Sequence, residues 1–270
     1  MPDFLSHMAE LSADREAQAR AAAPEHALRR SIRDLPPARA LPAAPFLLIA
    51  ELKNASPSEG DLAGAGPPIT ERAAAYARGG AGVISVLTEP SRFGGSLDDL
   101  REVSAAVPVP TMRKDFLIGP YQVVEARATG ASGVLLIVKM LTDDKLLEML
   151  SVAAELAMFG LVECFDRDDL GRCGAILPRP PSNILLGLNT RDLRDLTVRP
   201  ERLEDLAGAF PGGFPRIAES GMESAADVRR AARLGYGGAL VGTALMRAPD
   251  PETLCRDMLR EARSCVGAPP

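Results

Sequence analysis

Eight short apolar runs recur along the chain, and their spacing restricts the fold more than any other feature. They are FLLIAEL (46–52), GVISVLT (82–88), VPTMR (109–113), GVLLIV (133–138), GLVECF (160–165), ILLGLN (184–189), RIAES (216–220) and GALVG (238–242). Runs of this length, rich in Val, Ile and Leu, suit strands covered on both faces, as in a parallel sheet. Most gaps between them carry a helical pattern, such as TERAAAYARGG (70–80), YQVVEARATG (121–130), TDDKLLEMLSVAAELAMFG (142–160) and SAADVRRAARLG (224–235). Thr70, Thr142 and Ser224 are the expected N-caps, and Gly79, Gly130, Gly160 and Gly235 the expected helix-ending residues. Alternation of strand and helix at a period of ~25–35 residues predicts βαβ units with right-handed crossovers. An open doubly wound sheet fits seven or fewer strands equally well; eight favour an α/β fold of the closed (β/α)8 TIM-barrel type. No GxGxxG or GxxxxGK[ST] follows any strand, so a dinucleotide or P-loop reading has no motif behind it.

The chain has 270 residues, a length that one such barrel of ~250 residues fills. Residues 1–45 are rich in Ala and charge, with a helix expected over 3–22 and then a stretch broken by Pro36, Pro37, Pro42 and Pro45. They lack the apolar residues for a core of their own. The expected organisation is an N-terminal helical extension (1–45) packing on a catalytic barrel (46–265).

Composition excludes several function classes. The net charge of −5 leaves no electrostatic footprint for nucleic acid. No apolar run approaches ~18 residues, so no membrane span is expected. The first residues, MPDFLSHMAELSADREAQAR, carry no apolar core of a secretory signal, and the expected compartment is the cytoplasm. Cys164, Cys173, Cys255 and Cys265 form no CxxC pair and read as reduced structural thiols. The two histidines, His7 and His26, both precede the first strong strand, which argues against a Ser-His-Asp triad or a His-rich metal site in the barrel. Lysine is rarer than arginine, with Lys53, Lys114, Lys139 and Lys145 the four present, and three of them fall at or just past strand ends. A bias towards arginine explains the count equally well. A desolvated lysine, unlike arginine, can also exchange its proton.

Active sites of this fold sit at the C-terminal mouth, and phosphate is held after strands 7 and 8. Glu51 and Lys53 are two residues apart on the first strand and share the side that, counted from Ile49, faces the barrel axis. The third strand ends in Arg113-Lys114-Asp115-Phe116, the fifth carries Glu163, the sixth ends in Asn189-Thr190-Arg191, the seventh in Glu219-Ser220-Gly221 and the eighth in Gly242-Thr243. A charge inside an apolar strand is costly unless paired. Glu51, Lys53, Lys114 and Glu163 are therefore expected to form a cluster of two cations and two anions. A structural ring of ion pairs that keys the barrel closed is the alternative. Ser220-Gly221 and Gly242-Thr243 supply small residues and backbone N–H groups suited to an anion. Together these features predict a site for a small phosphorylated, doubly anionic substrate, with lysine–glutamate acid–base chemistry and no metal or other cofactor. Lys114 is the candidate general acid, and Glu163 the candidate base, its pKa expected to rise on burial. Phe93 and Phe116 could wall an aromatic ring; Phe93 reads equally as loop packing.

The stretches AELKNASPSEG (50–60), ISVLTEPSRFGGSLDDL (84–100), RKDF (113–116), GVLLIVKMLTD (133–143), LVECF (161–165), GLNTRDL (187–193), AESG (218–221) and LVGTALMR (240–247) resemble the indole-3-glycerol-phosphate synthase family. The resemblance runs from about residue 46 to 247, in register with all eight strands. It implies a carbon–carbon lyase of tryptophan biosynthesis that closes the indole ring of 1-(2-carboxyphenylamino)-1-deoxyribulose 5-phosphate with loss of CO2 and water. By that resemblance Lys114 is the general acid for ring closure and Glu163 the base for dehydration. Glu51 and Asn189 orient these groups, and Lys53 contacts the substrate carboxylate. Which lysine supplies the proton at each step is left open. Ser56, Arg191, Ser220, Gly221, Gly242 and Thr243 align with substrate- and phosphate-contacting positions, Ser220 among the catalytic set as well. Phe93, Phe116 and Leu135 match the pocket for the anthranilate ring. The chain departs from the family at Asn54, often basic, at Glu59, usually lysine, and at Thr243, usually serine. The first two lower the positive potential of the first loop.

Two other readings stay open at this point. One is another phosphate barrel such as a phosphoribosylanthranilate isomerase, whose Cys/Asp pair is not matched by the Glu-x-Lys of the first strand. The other is a barrel that binds a sugar phosphate without turnover, or one part of a larger complex. Association with other enzymes of the pathway is not legible in the sequence.

Overall fold

Successive residues of the first strand point into two different apolar clusters. In the computed structural model of the chain, Leu47 and Ile49 lie inside a cylinder with Val83, Met112, Leu161 and Ile217. Their neighbours Leu48, Ala50 and Leu52 face outward into a second, larger cluster beneath the helices. Both faces are buried, which is why these runs show no polar alternation. The structure describes residues 4–56, 60–62, 64, 66–178, 183–192 and 197–265.

Eight parallel strands close the cylinder. They are β1 (Leu47–Leu52), β2 (Val83–Leu87), β3 (Thr111–Lys114), β4 (Gly133–Ile137), β5 (Phe159–Cys164), β6 (Ile184–Asn189), β7 (Arg216–Glu219) and β8 (Gly238–Val241). Each pairs with the next in sequence, and β8 returns to β1 through Leu47 opposite Gly238. Helices follow the strands on the outside, as expected for a (β/α)8 barrel. Among the described residues no helix is long and apolar enough to cross a membrane.

The N-terminal extension holds two helices, α1 (Phe4–Ala22) and α2 (Glu25–Ile32). The second was not expected, because its segment reads as proline-broken. Pro24, in extended conformation, precedes its first turn, where the missing N–H costs nothing, and the helix ends before Pro36. It lies against the helix Pro120–Ala128. Tyr121 of that helix donates to the carbonyl of Ala23 at 2.8 Å, with the Arg20 guanidinium 4.5 Å above its ring.

Helix ends were read with mixed success. Thr142 accepts from the N–H of Lys145, and Ser224 forms a reciprocal capping box with Asp227. Thr70 is not a cap: its helix begins at Ile69 behind Pro68, with no side-chain cap. Gly79 closes that helix in right-handed conformation, and Gly80 takes the left-handed turn at φ 96°. Gly160 is not a helix-ending residue either. It lies within β5, where a Cβ would come 2.8 Å from Leu150, and Ala157 takes the left-handed position at φ 55°. Its glycine answers a close approach of helix to strand, which looks the same in sequence as a cap.

Candidate active site

The inward row that is apolar at the bottom of the barrel becomes charged at the C-terminal ends. Glu51, two residues above Ile49, is 5% exposed and lies between two ammonium groups. Its Oε1 is 3.4 Å from Lys53 Nζ and its Oε2 is 3.3 Å from Lys114 Nζ. One carboxylate thereby joins β1 to the end of β3. Burial favours the neutral form of Glu51, but the charges of Lys114 and Lys53 outweigh it and hold the carboxyl below its usual range. For Lys114 burial pulls down while Glu51, Glu163 and Glu219 pull harder the other way. The ammonium is held above its usual range and stays protonated at neutral pH. Glycine at the end of β8 makes room for the pair, since a Cβ on Gly242 would meet Glu51 Oε1 at 2.4 Å.

Glu163 on β5 reaches the same space, 3% exposed. A third carboxyl joins it, so the expected two-cation, two-anion cluster is corrected to two cations and three acids. Glu219 on β7 is 1% exposed, with neither oxygen hydrogen-bonded among the described residues. Burial, then the charge of Glu163, pushes its pKa well above the carboxylate range. The signal for Glu219 was present in the sequence. It sits two residues above inward-facing Ile217, as Glu163 sits two above Leu161. The glycine turn that follows it is the more conspicuous feature of the sequence.

Past β6, the Asn189 Oδ1 accepts from Ser220 Oγ at 2.8 Å and from the N–H of Arg191 at 2.9 Å. Its amide N–H groups remain to be offered to a ligand. Ser220 holds a left-handed conformation at φ 65°, as does Gly221 at φ 69°. For serine this costs of order 1 kcal/mol or more, a strain that clusters at functional turns. Gly242 precedes the short helix Thr243–Arg247, whose first turn has no side-chain cap. These two turns follow neighbouring strands, and both line a cavity of about 850 Å³ that the charged cluster also lines. The cluster therefore borders an open cavity.

Aromatic side chains also line the cavity. Phe93 sits on a one-turn helix, Pro90–Phe93, capped by the fully buried Glu89, which accepts from the N–H groups of Ser91 and Arg92 at 2.9 and 2.7 Å. Its ring lies 6.1 Å from that of Phe116, and Phe4 of α1 meets Phe116 edge-on at 5.8 Å. Leu135, inside β4, lies below. Phe4 and Leu5 belong to the cavity wall, which sequence reading did not assign to them.

The family model that matches the chain is described as "Indole-3-glycerol phosphate synthase" and covers residues 5–258. The chain belongs to the indole-3-glycerol phosphate synthase family. As a member of it the protein is a carboxy-lyase of tryptophan biosynthesis. Curated relatives named indole-3-glycerol phosphate synthase include one from Nocardioides sp. (strain ATCC BAA-499 / JS614), 46% identical over 235 residues, or 86% of this chain and 88% of that protein. Another, from Micrococcus luteus, is 46% identical over 209 residues, 77% of this chain and 76% of that protein. Among solved structures, the 3-hexulose-6-phosphate synthase of Salmonella typhimurium matches 82% of this chain and 100% of its own, with a TM-score of 0.64 at 17% identity. That likeness is one of fold.

The remaining candidates of the synthase reading fall as follows. Arg191 and Thr243 line the cavity, and Arg191 also bridges to Val198. Ser56 lies in a two-stranded ribbon, Ala55–Ser56 with Gly60–Asp61. Its side chain, and Glu59, lie outside what the structure describes. Asn54 donates to the carbonyl of Gly94 at 2.9 Å, tying the first loop to the turn behind Phe93. Lys139, the third lysine at a strand end, pairs with Asp166 at the rim at 2.5 Å and is not among the cavity's lining residues. Among the described residues no group of three or more His, Cys, Asp or Glu side chains is disposed to hold a metal ion.

Asp115, between Lys114 and Phe116, anchors this mouth to the N-terminal helix. Arg15 of α1 grips it with both Nη atoms at 3.0 and 2.8 Å. Thr88 and Arg113 donate to it at 2.8 and 3.1 Å, as does the N–H of Phe116 at 2.8 Å. Burial works against the ionised form, but Arg113 and Arg15 prevail and lower its pKa from 3.8 to about 2. A carboxyl lowered in this way stabilises the fold above its unfolded pKa, and that contribution fades as pH falls from ~4 towards 2. Asp115→Asn is expected to lose about 2–3 kcal/mol at pH 7 and progressively less below pH 4. Denaturant unfolding at the two pH values measures it, and equal stability of variant and parent at pH 7 would refute the anchor.

Proposed function

We propose that the chain converts 1-(2-carboxyphenylamino)-1-deoxyribulose 5-phosphate to indole-3-glycerol phosphate at this cavity. The observation that carries the site assignment is the bridging of Lys53 and Lys114 by one buried carboxylate, Glu51, in a cavity that Glu163, Phe93 and Phe116 also line. The substrate phosphate is taken by the N–H groups of the Ser220-Gly221 and Gly242-Thr243 turns, with Ser56 and Arg191 beside it. Its aryl ring lies against Phe93, Phe116 and Leu135, and its carboxylate reaches Lys53.

The aryl carbon that bears the carboxylate attacks the ketone carbon, which closes the five-membered ring. The ketone oxygen takes a proton from Lys114 Nζ as its charge develops. The bond to CO2 then breaks, and its electron pair restores the aromatic ring. Finally the C–OH bond breaks, the hydroxyl leaves as water with a second proton from an ammonium of the Lys53–Lys114 pair, Glu163 accepts the proton lost from the neighbouring CH2, and exchange with solvent restores the lysines and Glu163. Asn189, fixed by Ser220, donates to the substrate hydroxyls, and Glu51 keeps the two ammonium groups in place. The sum is substrate to product, CO2 and water.

The proposal treats residues 1–45 as an extension that completes the aromatic wall, residues 46–265 as the catalytic barrel, and the enzyme as cytoplasmic with no nucleic-acid partner. Indole fluorescence tests it, since the chain contains no tryptophan to mask the product. Product is expected from the purified protein and the carboxyphenylamino sugar phosphate alone; no turnover would refute the reading.

A further inference from the structure

Gly187 lies in the middle of β6, buried, with an ordinary strand conformation that any residue could adopt. A glycine inside a strand weakens it and marks a place where something approaches closely. What approaches is a carboxyl group. A Cβ placed on Gly187 would stand 1.8 Å from Glu219 Oε1 and 2.9 Å from its Cδ. Glu219 belongs to β7, where it is the partner of Asn189. Its carboxyl thus reaches down into the volume that a side chain at 187 would fill. On the other side, Gly187 is the direct partner of Glu163 across β5 and β6. The glycine stands between the two acids.

Three buried oxygens here have no hydrogen-bond partner among the described residues: Glu163 Oε2 and both oxygens of Glu219. The nearby cations do not pair with them, since Lys53 and Lys114 are both engaged by Glu51. Burial and mutual repulsion favour one proton shared between two carboxyls brought together in this way. We propose that Gly187 is a positioning residue whose missing side chain lets Glu219 lie against Glu163, so that the two acids hold one proton in common and Glu219 carries it at neutral pH. The upward push on Glu219 from burial and from Glu163 agrees with that. Glu219 then donates to Glu163, which fixes the orientation of that carboxyl and keeps a proton beside the reacting centre. This deepens the reading of Glu163 as the base and rests on it for its kinetic consequence.

Two measurements test it. In infrared difference spectra at neutral pH, parent minus Glu219→Gln should contain the C=O stretch of a buried protonated carboxyl. Gly187→Ala should shift or lose that band. This readout needs no turnover, so it stands apart from the proposed reaction. In the kinetic arm, Gly187→Ala should lower kcat by about 10–100-fold, change KM by less than about threefold, and displace the pH profile of kcat. If Ala acts by displacing Glu219, adding it to Glu219→Ala should cost no more than about twofold further. The inference is overturned by absence of the protonated-carboxyl band, by wild-type kcat in Gly187→Ala, or by an equal loss in both backgrounds. Indole formation by the parent separately decides the proposed reaction.

Discussion

Lys114→Ala is expected to reduce ring closure by about 10⁴-fold, the upper end of what one proton donor contributes. Lys114 Nζ is one of the two ammonium groups held by Glu51. In the proposed reaction the other, Lys53, holds the carboxylate that leaves. Removing Lys114 leaves three buried acids against one cation, so the site also loses its means of stabilising the developing alkoxide. Lys114→Arg separates the two contributions, because arginine keeps the charge but does not release its proton. It should recover stability and binding while ring closure stays slow. Stopped-time indole fluorescence at saturating substrate measures both variants. Turnover in Lys114→Ala within tenfold of the parent would remove Lys114 from the acid's role.

Glu163→Gln should lower kcat by about 10²–10⁴-fold with KM nearly unchanged, as expected when a base acts only in the transition state. The substitution keeps shape and removes charge. It also alters stability in a direction that simple damage would not. The new amide oxygen can still accept the proton that Glu219 carries, and Glu163 Oε2, which the amide replaces, has no hydrogen-bond partner among the described residues to lose. The variant is therefore expected to melt no lower than the parent at neutral pH while losing activity, the usual trade at a strained site. A rise in KM with kcat preserved would make Glu163 a binding residue; a Tm well below the parent's would show that the amide does not fit the place of the carboxyl.

Both experiments depend on residues whose importance is visible before any coordinates. Glu51, Lys53, Lys114 and Glu163 are charges in or beside runs that are otherwise apolar, and such charges need a reason. The strand runs were legible for the same cause, since burial on both faces leaves an unmistakable apolar stretch. Glu219 carried the same mark and was passed over for the glycine behind it. Other features left no local trace. Arg15 and Asp115 are a hundred positions apart, and nothing around Arg15 distinguishes it from its neighbours on α1. Phe4 and Leu5 look like ordinary helix residues until α1 is laid over the mouth. Gly160 resembles a cap glycine and Gly187 an ordinary position of a strand run, because sequence records a missing side chain but not what occupies its place.

Local patterning therefore decided the cylinder, the end at which chemistry occurs, and most of the ionisable groups there. These follow from a two-residue side-chain period and from the cost of burying charge, both properties of neighbouring residues. The folded chain alone decided how those groups pair: one carboxylate between two lysines, two carboxyls meeting across a glycine, and an N-terminal arginine holding the step beside the acid. Such pairings depend on distances between strands far apart in sequence, which no local pattern encodes.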